Sequence, residues 1–184
     1  SGITSLDLAT NNLSNFASTS EASSLGMYVD TSGVNYTNPI QGISNLSGLT
    51  DINLFFGTEA ARYTTAKAIE VGDNILKPYN DALSGVVTAG TTLNVTSASL
   101  TWMAQPTKNA ARGLLDKVYL VKVPYSTFAK DGDDQTYNFL VDLEEKYGKE
   151  GLGTQEKSIF DKLNSLTAGE GHILAQAIDE MKGH

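Results

Sequence analysis

The 184-residue chain has no cysteine, two histidines and an excess of acidic over basic residues, 21 against 13. Without thiols there is neither a disulfide framework nor a cysteine-based zinc site or nucleophile, and two histidines are too few for a histidine-rich metal site. The net charge of -8 argues against nucleic acid and anionic membrane surfaces as partners. The absence of cysteine is typical of exported bacterial proteins.

Long apolar runs are also missing. No stretch approaches the ~20 residues of a membrane-spanning helix, and the first residues, SGIT, lack the basic start and apolar run of a signal peptide. Charged residues make up 18% of the chain, below the ~25% that is usual for soluble domains, and Ser, Thr, Asn and Gly supply the remaining polarity. That composition is typical of extended extracellular β structure.

The last fifty residues are the most strongly patterned part of the sequence. Apolar stripes predict three amphipathic helices at about 135–147, 155–165 with Thr154 as N-cap, and 168–181 with a capping box of Thr167 and Glu170. Each helix is too short to be stable alone, so the stripes must be buried on one another or on the preceding chain.

Residues 1–130 favour short strands separated by turns. The strand candidates are 3–8, 26–30, 34–40, 51–56, 66–71, 92–103 with a bulge or a bend, and 116–124 as a central strand. Helical turns are predicted at about 11–17 and 59–63, and a short helix beginning near Pro78 extends to Leu83; 106–113 reads as a polar loop. The fold class is therefore α+β, with a β-rich part at 1–130 and a helical cap at 131–184 in one folded unit. A solenoid, a sandwich and a barrel all remain open for the β-rich part.

Few residues suggest chemistry. The Asp131–Asp134 run fits a turn and helix cap better than a calcium loop, since an EF-hand pattern fails at Thr136 and Asp142, although calcium remains open. His172 is expected on the surface. Carboxylates at the ends of strands make a β-helix glycosidase or lyase the least favoured alternative; these are Glu59, Glu70 and Asp73. Trp102 is the candidate for stacking on a ligand, with burial in the core as the competing interpretation.

A linear set of motifs carries a resemblance to a known family. The motifs are MYVDTSGVNYTNPIQG at 27–42, KAIEVGDNI at 67–75, SLTWMA at 99–104, VYLVKVPY at 118–125, TYNFL at 136–140, EKYG at 145–148, KLN at 162–164 and QAIDEMKGH at 176–184. In this order they resemble the C-terminal end of the passenger of large type V autotransporters of the kind found in fusobacteria.

The resemblance implies a non-enzymatic module of a cell-surface adhesin, outside the bacterial outer membrane. It implies a β-solenoid passenger, continuous in the full-length protein with a membrane β-barrel that would follow His184. It brings no catalytic, cofactor-binding or metal-binding residues, and this segment itself is not expected to insert into the membrane. A module that binds a host protein or glycan through exposed aromatic residues is the alternative.

Overall fold

The computed structural model describes residues 3–8, 20–32, 46–47, 49–61, 66–109, 114–147, 149, 153–167 and 169–183. Within them the fold is mixed α+β, as predicted, with eight strands and four α-helices. The strands are β1 Ile3–Leu8, β2 Ser20–Val29, β3 Leu46–Ser47, β4 Asp51–Phe56, β5 Ala68–Glu70, β6 Thr92–Ser97, β7 Trp102–Asn109 and β8 Leu114–Lys122. The helices are α1 Asp73–Leu83, α2 Asp134–Lys146, α3 Thr154–Asn164 and α4 Gly171–Lys182. The predicted turn at 11–17 and strand at 34–40 lie outside the described residues.

The first sheet is parallel, in the order β1-β2-β4-β6, with β3 paired to the start of β2. Its register places like residues side by side: Leu25, Ile52 and Leu93 form one inward row, and Met27, Leu54 and Val95 the next. Because side chains alternate between the two faces of a strand, the residues between these apolar rows point outward and form rows of their own. One contains Asn53 and Asn94, whose amides are hydrogen-bonded at 2.9 Å.

The second sheet is antiparallel, in the order β5-β8-β7. The prediction that the strand at 116–124 is central is confirmed, because β8 pairs with β5 on one side and with β7 on the other. Both faces of β8 are apolar here: Val118 and Leu120 on one face are fully buried, and Tyr119 and Val121 on the other are half-buried. The Glu59–Ala61 and Tyr125–Phe128 segments form single 3-10 turns.

Several predicted boundaries were wrong. The single strand predicted at 92–103 is two strands in different sheets. Of the bulge or bend predicted within it, the structure has a bend, the corner at 98–101. The predicted loop at 106–113 begins inside β7, which extends to Asn109. Pro78 lies in the middle of α1, whose first turn begins five residues earlier at Asp73. Here sheet pairing and helix packing override local turn signals.

The predicted helices are present, with shifted starts. Asp133 caps α2 by accepting a hydrogen bond from the amide of Thr136 at 3.0 Å. This confirms the helix cap predicted for the Asp131–Asp134 run. The N-cap of α3 is Gly153 and not Thr154. The capping box is half formed: the Glu170 carboxylate accepts the amide of Thr167 at 2.8 Å, but α4 begins only at Gly171. The Thr167 hydroxyl bonds that same carboxylate, so the pair closes a turn ahead of the helix.

Candidate functional site

The helices meet the strands at a junction that has two parts. The first is the corner patch, where the C-terminal turn of α3 meets the 98–101 corner between β6 and β7. It consists of Thr58, Ser99, Thr101 and Trp102 on the strand side and Leu163, Asn164 and Leu166 on the helix side. The last four carbonyls of a helix have no partner within it, so they are free to accept outside donors.

Hydroxyl groups of the corner supply those donors. Thr101 donates to the carbonyl of Leu163 at 3.0 Å, and Thr58 and Ser99 donate to the carbonyl of Asn164 at 3.0 and 3.1 Å. The backbone joins in, since the amide of Leu100 donates to the carbonyl of Leu166 at 2.8 Å. The turn after α3 therefore pairs with the corner like a short piece of strand.

Trp102 belongs to this patch. Its side chain is 1% exposed, and its indole Nε1 donates to the Asn164 Oδ1 at 3.0 Å. The structure thus places the candidate for ligand stacking inside the protein, where the ring contributes apolar area and the indole N–H fixes α3. A buried indole that finds a hydrogen-bond partner is the usual arrangement for tryptophan.

The second part is the Glu144 cluster, made of Lys67, Lys122, Tyr125, Glu144, Tyr147 and Phe160. The Lys122 side chain is 0% exposed, and its Nζ lies 2.5 Å from the Glu144 Oε1. The exposed Lys67 approaches the Glu144 Oε2 at 2.8 Å, and the amide of Tyr125 donates to Oε1 at 2.9 Å. One carboxylate on α2 therefore accepts three donors from the strand side.

Aromatic rings enclose this ion pair. The Lys122 Nζ lies 3.3 Å from the centre of the Tyr125 ring and 4.9 Å from that of Tyr147, so both rings offer a cation–π contact. Phe160 of α3 stacks on Tyr125 with a centroid distance of 6.1 Å and meets Tyr147 edge-on at 5.2 Å. The cluster ties β8, α2 and α3 together.

Burial and charge shift the pKa values in opposite senses. Burial lowers the pKa of Lys122, although Glu144 opposes the change. Burial alone would raise the pKa of Glu144, but the hydrogen bonds from Lys122, Lys67 and the Tyr125 amide together hold it below its ordinary value. Burial raises the pKa of Tyr125 and of Tyr147.

Near neutral pH these groups keep fixed protonation states: Glu144 is ionised and both tyrosines are neutral. The Tyr125 hydroxyl is buried and, within the part of the chain that the structure describes, has no hydrogen-bond partner. The Tyr147 hydroxyl lies close to Asn164 without reaching hydrogen-bond geometry. The cluster therefore holds β8, α2 and α3 in fixed positions relative to one another.

The other candidates from the sequence are spread over the structure. Glu59 accepts the Tyr28 hydroxyl at 2.5 Å and the Thr31 amide at 3.3 Å, bracing the end of β4. Glu70 ends β5, Asp73 begins α1, and both are exposed. His172 is exposed, as expected, while His184 lies outside the described residues.

Among the described residues, no group of three or more His, Asp or Glu side chains is placed to hold a metal ion. In the same residues, no helix has both the length and the apolar character needed to cross a membrane.

No protein-family model matches the sequence, and no curated protein or solved structure matches it either.

Proposed function

We propose that this chain is the barrel-proximal end of the passenger of a type V autotransporter adhesin, at the bacterial cell surface. In this proposal it is a non-enzymatic module that closes the end of a β-solenoid stalk and supports its folding and display. The motif set that resembles this family is the sequence support. The corner patch is the structural observation that carries the proposal.

The parallel sheet suits such a stalk. Strands that follow one another along the chain lie side by side, and each row repeats one kind of residue, as in Leu25, Ile52 and Leu93. In a solenoid each rung buries its apolar face against its neighbours, so the last rung needs a cap. Among the described strands, β6 is the last in the parallel sheet, and the corner patch follows it directly.

Folding outside the membrane would then assist export. No nucleotide is available there, so the free energy released when the strands and helices pack is a source of directional bias. A cap that fixes the final rung would prevent the stalk from fraying at the end nearest the barrel. The continuous β-barrel is the partner that this proposal requires.

Deletion of residues 135–184 from the full-length protein tests this role. We expect surface display to fall and the remaining passenger to become sensitive to protease, measured by antibody labelling of intact cells and by limited proteolysis. Tyr137→Ala is the control, because this side chain is 50% exposed on α2 and lies outside both parts of the junction. Normal display and protease resistance after the deletion would contradict the proposal.

A second function, adhesion through exposed aromatic residues, is favoured by one observation. Tyr28 and Phe55 are paired in register on the outward face of the parallel sheet and are 42% and 38% exposed. Side-by-side rings of this kind suit the apolar face of a sugar or a host protein. Phe55→Ser should abolish binding on a glycan array while Thr96→Ser, next in the same row, leaves it intact. Equal binding by both variants would rule out this surface.

A further inference from the structure

A single carboxylate, that of Glu144, joins α2 to the strand side by three contacts. Glu144 lies on α2, whereas its three donors, Lys122, Lys67 and the Tyr125 amide, all lie on the strand side. The corner patch is built from hydroxyl, amide and indole donors, which do not titrate in acid. The described contacts between helices and strands therefore include one acid-sensitive connection.

Protonation of Glu144 would leave a buried charge without its partner. The side chain of Lys122 is 0% exposed, and removing one member of a buried ion pair costs several times more than the net value of the pair. An undocked α2 avoids this cost because Lys122 then reaches water. Acid therefore favours the undocked state more strongly than the loss of one hydrogen bond would suggest.

We propose that the Lys122–Glu144 pair is an acid-sensitive latch, which releases α2 from the strands while the sheets stay paired and the corner patch still holds α3. The inference rests on the proposed role of the helices as a cap and adds how that cap is regulated. Docking is complete while Glu144 is ionised and is lost as the pH falls through the pKa of the docked carboxyl, which lies below its ordinary value.

Other ionisable groups face the cluster or the same helices. Tyr125 and Tyr147 stay neutral throughout the acid range, and Asp161 of α3 acts on Tyr147 at a distance. Asp133 and Glu170 also have lowered pKa values, through hydrogen bonds with Thr136 and Thr167 respectively. These two lie at the starts of α2 and α4. Glu144 lies on α2, whereas α3 is held by the corner patch, whose donors do not titrate in acid. The amides in the C-terminal half of α2, away from Asp133, therefore report the latch.

Hydrogen exchange of the 184-residue chain, followed from about pH 6 to about pH 3, tests the latch. After correction for intrinsic exchange rates, amides in the C-terminal half of α2 should lose protection about tenfold for each pH unit between the pKa values of the undocked and docked carboxyl. Amides of β4 should keep theirs. Loss of protection in α2 and β4 together at one pH would overturn the proposal.

Glu144→Gln removes the titration, so protection of α2 should become independent of pH. Glu145→Gln, the exposed neighbour on the same helix, should behave like the wild type. A wild-type pH dependence in Glu144→Gln would overturn the latch. Because that variant leaves Lys122 unpaired, its α2 is expected to be undocked at every pH, with β4 still protected.

The double variant Lys122→Met, Glu144→Leu separates charge from packing. With neither charge present, α2 should dock again and remain protected in acid. Retained acid release in this variant, or a failure of its α2 to dock at about pH 6, would each count against the proposal. Since the isolated chain is used, a failure here is distinguishable from a failure of surface display.

Discussion

At the scale of the residue, Asn164 accepts hydrogen bonds in the corner patch through both its side chain and its backbone carbonyl. Its side chain accepts the indole N–H of Trp102, and its carbonyl accepts hydroxyls from Thr58 and Ser99. Only 4% of the residue is exposed. One residue at the end of α3 therefore satisfies donors from two separate parts of the strand region.

Asn164→Ala should destabilise the protein by about 1–3 kcal/mol, because it leaves the buried N–H of Trp102 without an acceptor. The backbone contacts of residue 164 persist in this variant, so the loss reports the side chain. Chemical denaturation measures the change. Asn138→Ala, on the exposed face of α2, is the control and should change the free energy of unfolding by less than about 0.5 kcal/mol. Equal losses in the two variants would contradict the assignment.

At the scale of the element, α1 completes one edge of β8. β5 pairs with only three residues of β8, at Tyr119–Val121. Further back, the Asn80 side chain donates to the carbonyl of Leu115 at 2.8 Å and accepts its amide at 3.3 Å. The amide group of one side chain thus imitates the backbone of a neighbouring strand.

Asn80→Ala should therefore cost about 1–3 kcal/mol, since both backbone groups of the buried Leu115 lose their partner. Asp81→Ala, at the next position, breaks only an exposed ion pair with Lys77 and should change stability by less than about 1 kcal/mol. Urea denaturation compares the two. If Asp81→Ala proved the more damaging, the helix surface and not the strand edge would be the important feature.

The opposite edge of this sheet is β7, which contains Pro106. The amide of Val123 donates to the carbonyl of Thr101, so odd-numbered residues of β7 point their backbone groups toward β8. Pro106 therefore faces away from β8, where its missing N–H weakens the edge as a template for another strand.

Pro106→Val should increase self-association, because it restores an edge amide and adds a β-branched side chain. Light scattering as a function of concentration measures this. Pro106→Lys restores the same amide but adds a charge, and we expect it to remain dispersed. Association by both variants would assign the effect to the amide alone. Association by neither would show that Pro106 does not limit self-association.

The sequence predicted these elements better than their contacts. Alternation of Ile52, Leu54 and Phe56 and the stripes of α2 to α4 were sufficient to find strands and helices, because burial repeats with the geometry of each element. The change of apolar parity between Val95 and Leu100 predicted a bulge or a bend, but not that the strand changes sheet, since the parity change looks alike in these cases.

The residues of the Glu144 cluster were also missed, although a signal was present. Lys122 has the same parity as Val118 and Leu120 in β8, and Glu144 lies on the α2 face of Leu140 and Tyr147. A charged residue on each of two apolar faces predicts a buried pair. Which charges pair depends on how α2 docks, and no local pattern contains that information.

At the scale of the whole molecule, the free energy of unfolding should be nearly constant around neutral pH and should fall in both acid and alkali. The lowered pKa values of Glu144, Asp133 and Glu170 add stability above about pH 5, and this is lost as the pH falls through the folded-state values. The raised pKa values of Tyr125 and Tyr147 add stability that is present below about pH 10 and is lost above it. Lys122 opposes this alkaline loss of stability. Because its pKa is lowered in the folded protein, folding becomes more favourable as the pH rises toward the pKa of lysine in the unfolded chain.

Tyr125→Phe isolates the alkaline limb. The variant removes a buried hydroxyl that has no partner among the described residues, so at neutral pH it should be as stable as the wild type or more stable by about 1 kcal/mol. Above about pH 10 it should retain more stability than the wild type, because the ionisation that favours the unfolded chain is gone. Tyr137→Phe changes an exposed ring and should follow the wild type throughout. Denaturation midpoints measured at several pH values decide the matter, and an unchanged alkaline limb in Tyr125→Phe would mean that the Tyr125 hydroxyl has access to water in the folded protein.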